Sequence, residues 1–248
     1  MIDIDENYSG HENLEAISQS HRFNKWMYGE VLPGLYGDIL EVGSGIGTFS
    51  EKLVNDFPNS CLTLTDVSDK YIENLKKKYQ NNKNITIHKL NLNNHTDYER
   101  IGYGQFDSIM AINVLEHVEN DEFALAQLYN MLKDKGTLVV LVPCHKVLYN
   151  VIDKNIGHFQ RYTKKDLENK ISKSGFDIDR MFYFNAIGII GWYLNGNLFK
   201  KSQVNGNGLK VLDILVPLLK RTERIAGKRV GLSLVGYLRK GYQNIKPA

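Results

Sequence analysis

Residues 38–50 read DILEVGSGIGTFS, a short apolar strand that breaks into three glycines at alternate positions and opens a helix near Thr48. Glycines at 43, 45 and 47 let the backbone pass through conformations that a Cβ forbids and approach a ligand closely. The helix that follows aims its unpaired N–H groups at the same place, so the stretch reads as a nucleotide cradle. A dinucleotide fingerprint needs its third glycine five positions after the first, which here would be Thr48. The glycine falls on Gly47 instead, and Glu41 stands two residues before the first glycine. A carboxylate there repels a pyrophosphate and suits a cationic or amine-bearing ligand.

Downstream, strand and helix patterns alternate. Residues 61–66, CLTLTD, form a strand pattern that ends on Asp66, which lies 19 residues after Gly47. An α/β unit of that length returns an acid to the side of the glycine turn, where it accepts hydrogen bonds from ribose hydroxyls. An acid that ends a strand also serves as a helix cap, a job for which Ser68 competes here. Residues 85–90 alternate as a strand and deliver Asn91 and Leu92; residues 106–112 are a fourth strand, followed by NVLEHV at 113–118. After a helix over 120–132, KGTLVVLVP at 135–143 is a turn and a continuous apolar strand, suited to the middle of a parallel sheet covered on both faces. Five such units predict a doubly wound, mainly parallel α/β sheet with ligands beyond the strands' carboxyl ends. A sixth strand over 176–184 and a closing strand over 232–239, expected as an antiparallel edge, bring the sheet to seven.

EVGSGIG resembles the first motif of the class I S-adenosylmethionine-dependent methyltransferases, and NVLEHV resembles the segment that passes under the methionine part of their cofactor. The resemblance implies a Rossmann-like fold, S-adenosylmethionine as cofactor and S-adenosylhomocysteine as product. It implies a binding set of Glu41, Gly43, Ser44, Gly45, Gly47, Asp66, Val67, Asn91, Leu92 and Asn113. The family commonly has Asp where Asn91 stands, reading the adenine amino group, and the Asn91 carbonyl still accepts that bond. Some relatives hold a divalent metal near this segment with two carboxylates and a histidine. Here the first position is Asn113, and one carboxylate with one histidine makes a poor site for a hard metal, so no metal is expected and His117 is read as structural. HRFNKW at 21–26 and the run LYNVID…GHFQRYT between 148 and 163 resemble one bacterial and archaeal subgroup that acts on small molecules or lipids.

Methyl transfer is a displacement from a sulfonium, so the enzyme aligns the acceptor and, for a hydroxyl or amine, removes a proton. Residues 143–163 read as a loop at the catalytic end of the sheet. His158 is the candidate base, because imidazole titrates near neutral pH. Asp153 is placed to orient it, Tyr149 or Arg161 to hold a polar or anionic acceptor, and His145 is a second candidate. The competing reading is that His158, Arg161 and Tyr162 knit this loop to the next helix.

A chain of 248 residues with 42% hydrophobic content can bury one substantial core. We divide it into an N-terminal helical cap (1–36), a cofactor-binding α/β core (37–186), a helical insertion or lid (187–229) and a closing edge strand with a tail (230–248). Phe23 and Trp26 of the cap either close over the cofactor or pack on the sheet. From residue 200 on there are eleven Lys or Arg against two acids, a net of +9 that leaves −6 on the rest of a chain of total charge +3. Apolar runs beside those cations suit a lid, a homodimer contact or a peripheral membrane contact. Cys61 and Cys144 do not suggest a disulfide, and the acidic N-terminus lacks an apolar signal segment, so a cytoplasmic setting is expected, with that membrane contact as its variant. The activity expected is methyl transfer to a hydroxyl or amine of a small-molecule or lipid-like acceptor. The alternative is a protein of the same fold with a cyclase-like, non-methyl reaction or a regulatory role. No base-flipping motif is present and the basic tail is interleaved with aliphatic residues, so nucleic acid is not expected as a partner.

Overall fold

The apolar run that ends at Pro143 occupies the sheet interior: from residue 136 to 143 every residue is buried. This computed structural model describes residues 14–15, 17–198 and 206–241; the parts of the expected cap, insertion and tail at 1–13, 16, 199–205 and 242–248 lie outside the described residues. Strands β1 (Ile39–Val42), β2 (Leu62–Asp66), β3 (Ile85–Lys89), β4 (Phe106–Ile112), β5 (Leu132–Pro143), β6 (Phe176–Phe184) and β7 (Ser233–Lys240) form one sheet in the order β3-β2-β1-β4-β5-β7-β6. The first five are parallel, and β7 runs antiparallel to both β5 and β6.

The position of β7 corrects one expectation. It is not the edge strand: it inserts between β5 and β6, and β6 takes the edge. The burial patterns give the reason. Residues 234–238 of β7 are all buried, whereas β6 alternates toward solvent over residues 177–181. An interior strand needs apolar cover on both faces, and only β7 meets that demand.

The helices are α1 (His21–Gly29), α2 (Ser50–Asp56), α3 (Asp69–Tyr79), α4 (His95–Ile101), α5 (Asp121–Met131), α6 (Val151–Asn155), α7 (Lys164–Lys173), α8 (Gly188–Trp192) and α9 (Gly206–Ala226). One core joins Leu40, Val42, Val140 and Val142 to α4, α5 and α7 through Tyr98, Leu128 and Leu167. The opposite face packs Ile39, Met110, Val139 and Leu141 against Phe23, Trp26, Leu53 and Val216. Each such fully buried aliphatic side chain contributes roughly 1.5–3 kcal/mol.

The cap and the insertion therefore share the second core. Trp26 meets the ring of Phe184 edge-on at 4.7 Å, so the packing reading holds for that residue, and the Phe23 N–H donates to Asp213 Oδ1 of α9 at 2.8 Å. Buried Glu223 accepts from the N–H groups of Asn185 and Ala186, which fixes the end of β6 to α9. Among the described residues no helix is long and apolar enough to cross a membrane.

Candidate cofactor and acceptor site

Gly43, Gly45 and Gly47 all adopt left-handed backbone conformations, with φ of +72°, +53° and +85°. At Gly43 an added Cβ would come within 2.5 Å of Val114, so the loop lies directly on the segment after β4. At Gly45 the same position is 3.7 Å from the Leu14 side chain, which brings the N-terminal segment over the loop. The following helix starts at Ser50, not at Thr48, and its N-cap, Phe49, offers no side-chain bond. Instead of capping, Ser50 and Ser44 both donate their hydroxyls to Glu41 Oε2. Burial pushes the Glu41 carboxyl up to about 7, against the opposing help of these two hydroxyls, and the charge of Asp66 adds to the rise.

Asp66 ties this loop to the end of β2. Its Oδ2 accepts from the Gly45 N–H at 2.7 Å and its Oδ1 from the Ser68 N–H at 3.0 Å. Ser68 occupies the N-cap of α3 without a side-chain capping bond. Val67, next in line, is 36% exposed and offers an apolar surface beyond the strand. Asn91 Oδ1 accepts from the Asn93 N–H, which leaves its second lone pair for another donor, and Leu92 is buried beside it. Asn113 turns left-handed at the end of β4 with its side chain exposed. Glycine loop, acid, exposed valine and two asparagines thus follow the carboxyl ends of four adjacent strands, and this set fits an adenosyl ligand with a cationic tail.

Residues 143–163 are not an open loop. Asn150 and Asp153 form a capping box that starts α6. Asp153 is fully buried, and its Oδ2 accepts from the Asn150 N–H while its Oδ1 accepts from His158 Nδ1 and Arg161 Nε, each at 2.8 Å. Burial alone would raise this carboxyl; the His158 hydrogen bond and the Arg161 charge outweigh it and hold the group below the ordinary range. Arg161 also donates to the Cys144 carbonyl, and the Trp192 ring of α8 covers its guanidinium at 4.4 Å. Tyr149 donates its hydroxyl to the His158 carbonyl.

The four residues expected on the acceptor side therefore meet, but Asp153, His158 and Arg161 face inward and Tyr149 is half-buried. A base must present a nitrogen to its substrate. His158, with a side chain 7% exposed, turns Nδ1 to Asp153 and Nε2 toward Glu116 Oε1 at 3.7 Å. Arg161 has internal partners for its charge in place of an acceptor. The knitting role weighed for His158 and Arg161 is the one these contacts describe, with Asp153 as the node. His145 stacks on Tyr183 and sets Nε2 against the Gly231 carbonyl.

Residues 40–138, from β1 into β5, match the family model described as a methyltransferase domain. That match covers less than half of the chain. Over 147 residues the chain is 24% identical to malonyl-[acyl-carrier protein] O-methyltransferase 1 of Ilyobacter polytropus, a match that covers 57% of this chain and 53% of that protein. The chain thus spans about half the length of that relative. Among solved structures, phosphoethanolamine N-methyltransferase 2 of Haemonchus contortus in complex with S-adenosyl-L-methionine superposes with a TM-score of 0.65 at 14% identity, over 96% of this chain and 59% of that one. The [4+2]-cyclase SpnF superposes with a TM-score of 0.56 at 15% identity, over 89% and 80%.

Within the matched region the glycine loop and Asp66 lie side by side at the ends of β1 and β2. Two members of the second cluster were not anticipated from the sequence. Glu116 lies within NVLEHV, but its partner His158 is distant in the chain, and Trp192 carries no local signal.

Proposed function

We propose that the chain transfers the methyl group of S-adenosylmethionine to a hydroxyl, or an amine, of a small-molecule or lipid-like acceptor and releases S-adenosylhomocysteine. The observation that carries the reading is the glycine loop fastened to Asp66 within a methyltransferase domain. When bound, the sulfonium supplies an electrophilic methyl for in-line attack. The chain's residues bind and align: Asp66 takes the ribose hydroxyls, Asn91 the adenine amino group, and Glu41 offers its carboxyl to the amine-bearing tail.

The insertion supports an apolar acceptor. Ile190, Leu194, Leu198, Ile214 and Leu218 are exposed along it. It also touches the segment after β5, through Trp192 on Arg161 and Asn197 Oδ1 on Asn150 Nδ2 at 3.0 Å. These contacts favour a lid whose apolar side meets the acceptor. Exposed Lys210, Lys220, Arg221 and Arg224 on the same helix suit an anionic lipid surface at the cytoplasmic face of a membrane. A homodimer would cover the same residues.

Incubation of the pure protein with methyl-labelled cofactor and an extract of its host, split into organic and aqueous phases, tests this reading. Label in the organic phase supports the lipid-like acceptor, and label confined to water points to a polar one. Cofactor binding without any label would favour the second reading, a cyclase-like reaction, for which the likeness to the [4+2]-cyclase speaks.

A further inference from the structure

We infer that Glu116, His117 and His158 form a binding site for a divalent first-row transition-metal ion. The three side chains each bring one ligand atom to a common point, all within 4.8 Å of one another. Glu116 Oε1 and His158 Nε2 are 3.7 Å apart. An ion bonded to one oxygen and one nitrogen at about 2.1 Å each spans up to about 4.2 Å between them, so this pair already brackets an ion.

Glu116 makes the second, independent case. Its side chain is 0% exposed, yet neither carboxylate oxygen has a hydrogen-bond partner. A buried carboxyl without partners is unfavourable, and a cation between it and the two imidazoles supplies what is missing. His158 is prepared for this role from behind. Its Nδ1–H is held by Asp153 at 2.8 Å, which fixes the tautomer and leaves the Nε2 lone pair toward Glu116. Arg161 in turn holds Asp153, and the His117 ring stands edge-on to His158 at 4.6 Å.

Donor chemistry selects the ion. Two imidazoles with one carboxylate suit zinc, iron, cobalt or nickel, whereas magnesium and calcium prefer oxygen cages. The exposed Asn113 had argued against a hard-metal site; His158, delivered from the far side of β5, replaces the missing oxygen by a nitrogen. Such an ion would clamp the segment after β4 to the segment after β5. The inference does not depend on methyl transfer.

The test is calorimetric titration of the chelator-stripped full chain with zinc, and separately with cobalt followed by its visible ligand-field absorption. We expect one-to-one zinc binding, a raised thermal midpoint, and at least a tenfold loss of affinity in both Glu116→Gln and His117→Ala. His21→Ala, an exposed histidine outside the cluster, should bind like the wild type. Unchanged zinc affinity in both cluster variants, loss of binding in His21→Ala, or tighter binding of magnesium than of zinc would overturn the inference. Should the cluster variants not fold, imidazole nitrogen resonances of the wild type decide. Of seven histidines, His117 and His158 must shift with zinc, and a shift of other histidines alone, or of none, refutes the site.

Discussion

The glycine loop and the segment after β5 lie at the same end of one sheet and are built on opposite plans. The loop recognises through backbone: three left-handed glycines in five residues, with one acid from the next strand to fasten them. The segment after β5 depends on side-chain charge gathered from far apart, where Glu116, Asp153, His158 and Arg161 meet beneath Trp192. A backbone cradle is contiguous in the chain and tolerates its neighbours. A buried charge cluster is only as good as its least satisfied member, so damage to one group reaches the others.

That contrast can be broken or sharpened in four ways. The largest effect should come from Asp153→Ala, which strands buried Arg161 without its carboxylate; a loss of about 3–5 kcal/mol in urea unfolding is expected, and a loss below about 1 kcal/mol would deny the node. Glu41 comes next. A carboxyl whose folded pKa of about 7 lies above its ordinary value of 4.5 keeps its proton longer in the folded chain. The stability it contributes is thus complete below pH 4.5 and is lost as pH rises toward 7. Glu41→Gln should remove that fall, a difference on the order of 3 kcal/mol between pH 4 and pH 8 in denaturant midpoints compared with the wild type. Asp66→Ala should weaken cofactor retention in equilibrium dialysis by about 100-fold through lost charge-assisted hydrogen bonds, with a smaller change in stability. The smallest effect on folding belongs to Ile214→Asp, which is 67% exposed: within about 0.5 kcal/mol in stability, but with slower labelling of an apolar acceptor.

Much of the fold was legible because its strands are apolar runs ended by Gly, Asn or Pro, and because Thr163 and Asn120 cap their helices as their residue types suggest. Strand order was not, since no run announces its neighbour; the alternation of FDIDRMFYF was the available hint that β6, and not β7, faces solvent at the edge. Reading 143–163 as a loop overlooked Asn150 and Asp153, whose spacing is itself a capping-box signal. The start of α2 moved to Ser50 because that hydroxyl serves Glu41, a buried demand invisible in local pattern. At the cofactor end, the proximity of Asp66 to the glycine turn was legible, because one βα unit returns the end of β2 to that loop. On the acceptor side, the inward direction of His158 and Arg161 goes with their contacts to Glu116 and Trp192, which only the folded chain brings near.

The most direct test of the central claim is calorimetric titration of the purified chain with S-adenosylmethionine. Saturable one-to-one binding that S-adenosylhomocysteine displaces is the result predicted for a glycine loop and Asp66 that hold a methyl donor. Absence of binding heat at every donor concentration, with the protein folded, would contradict it.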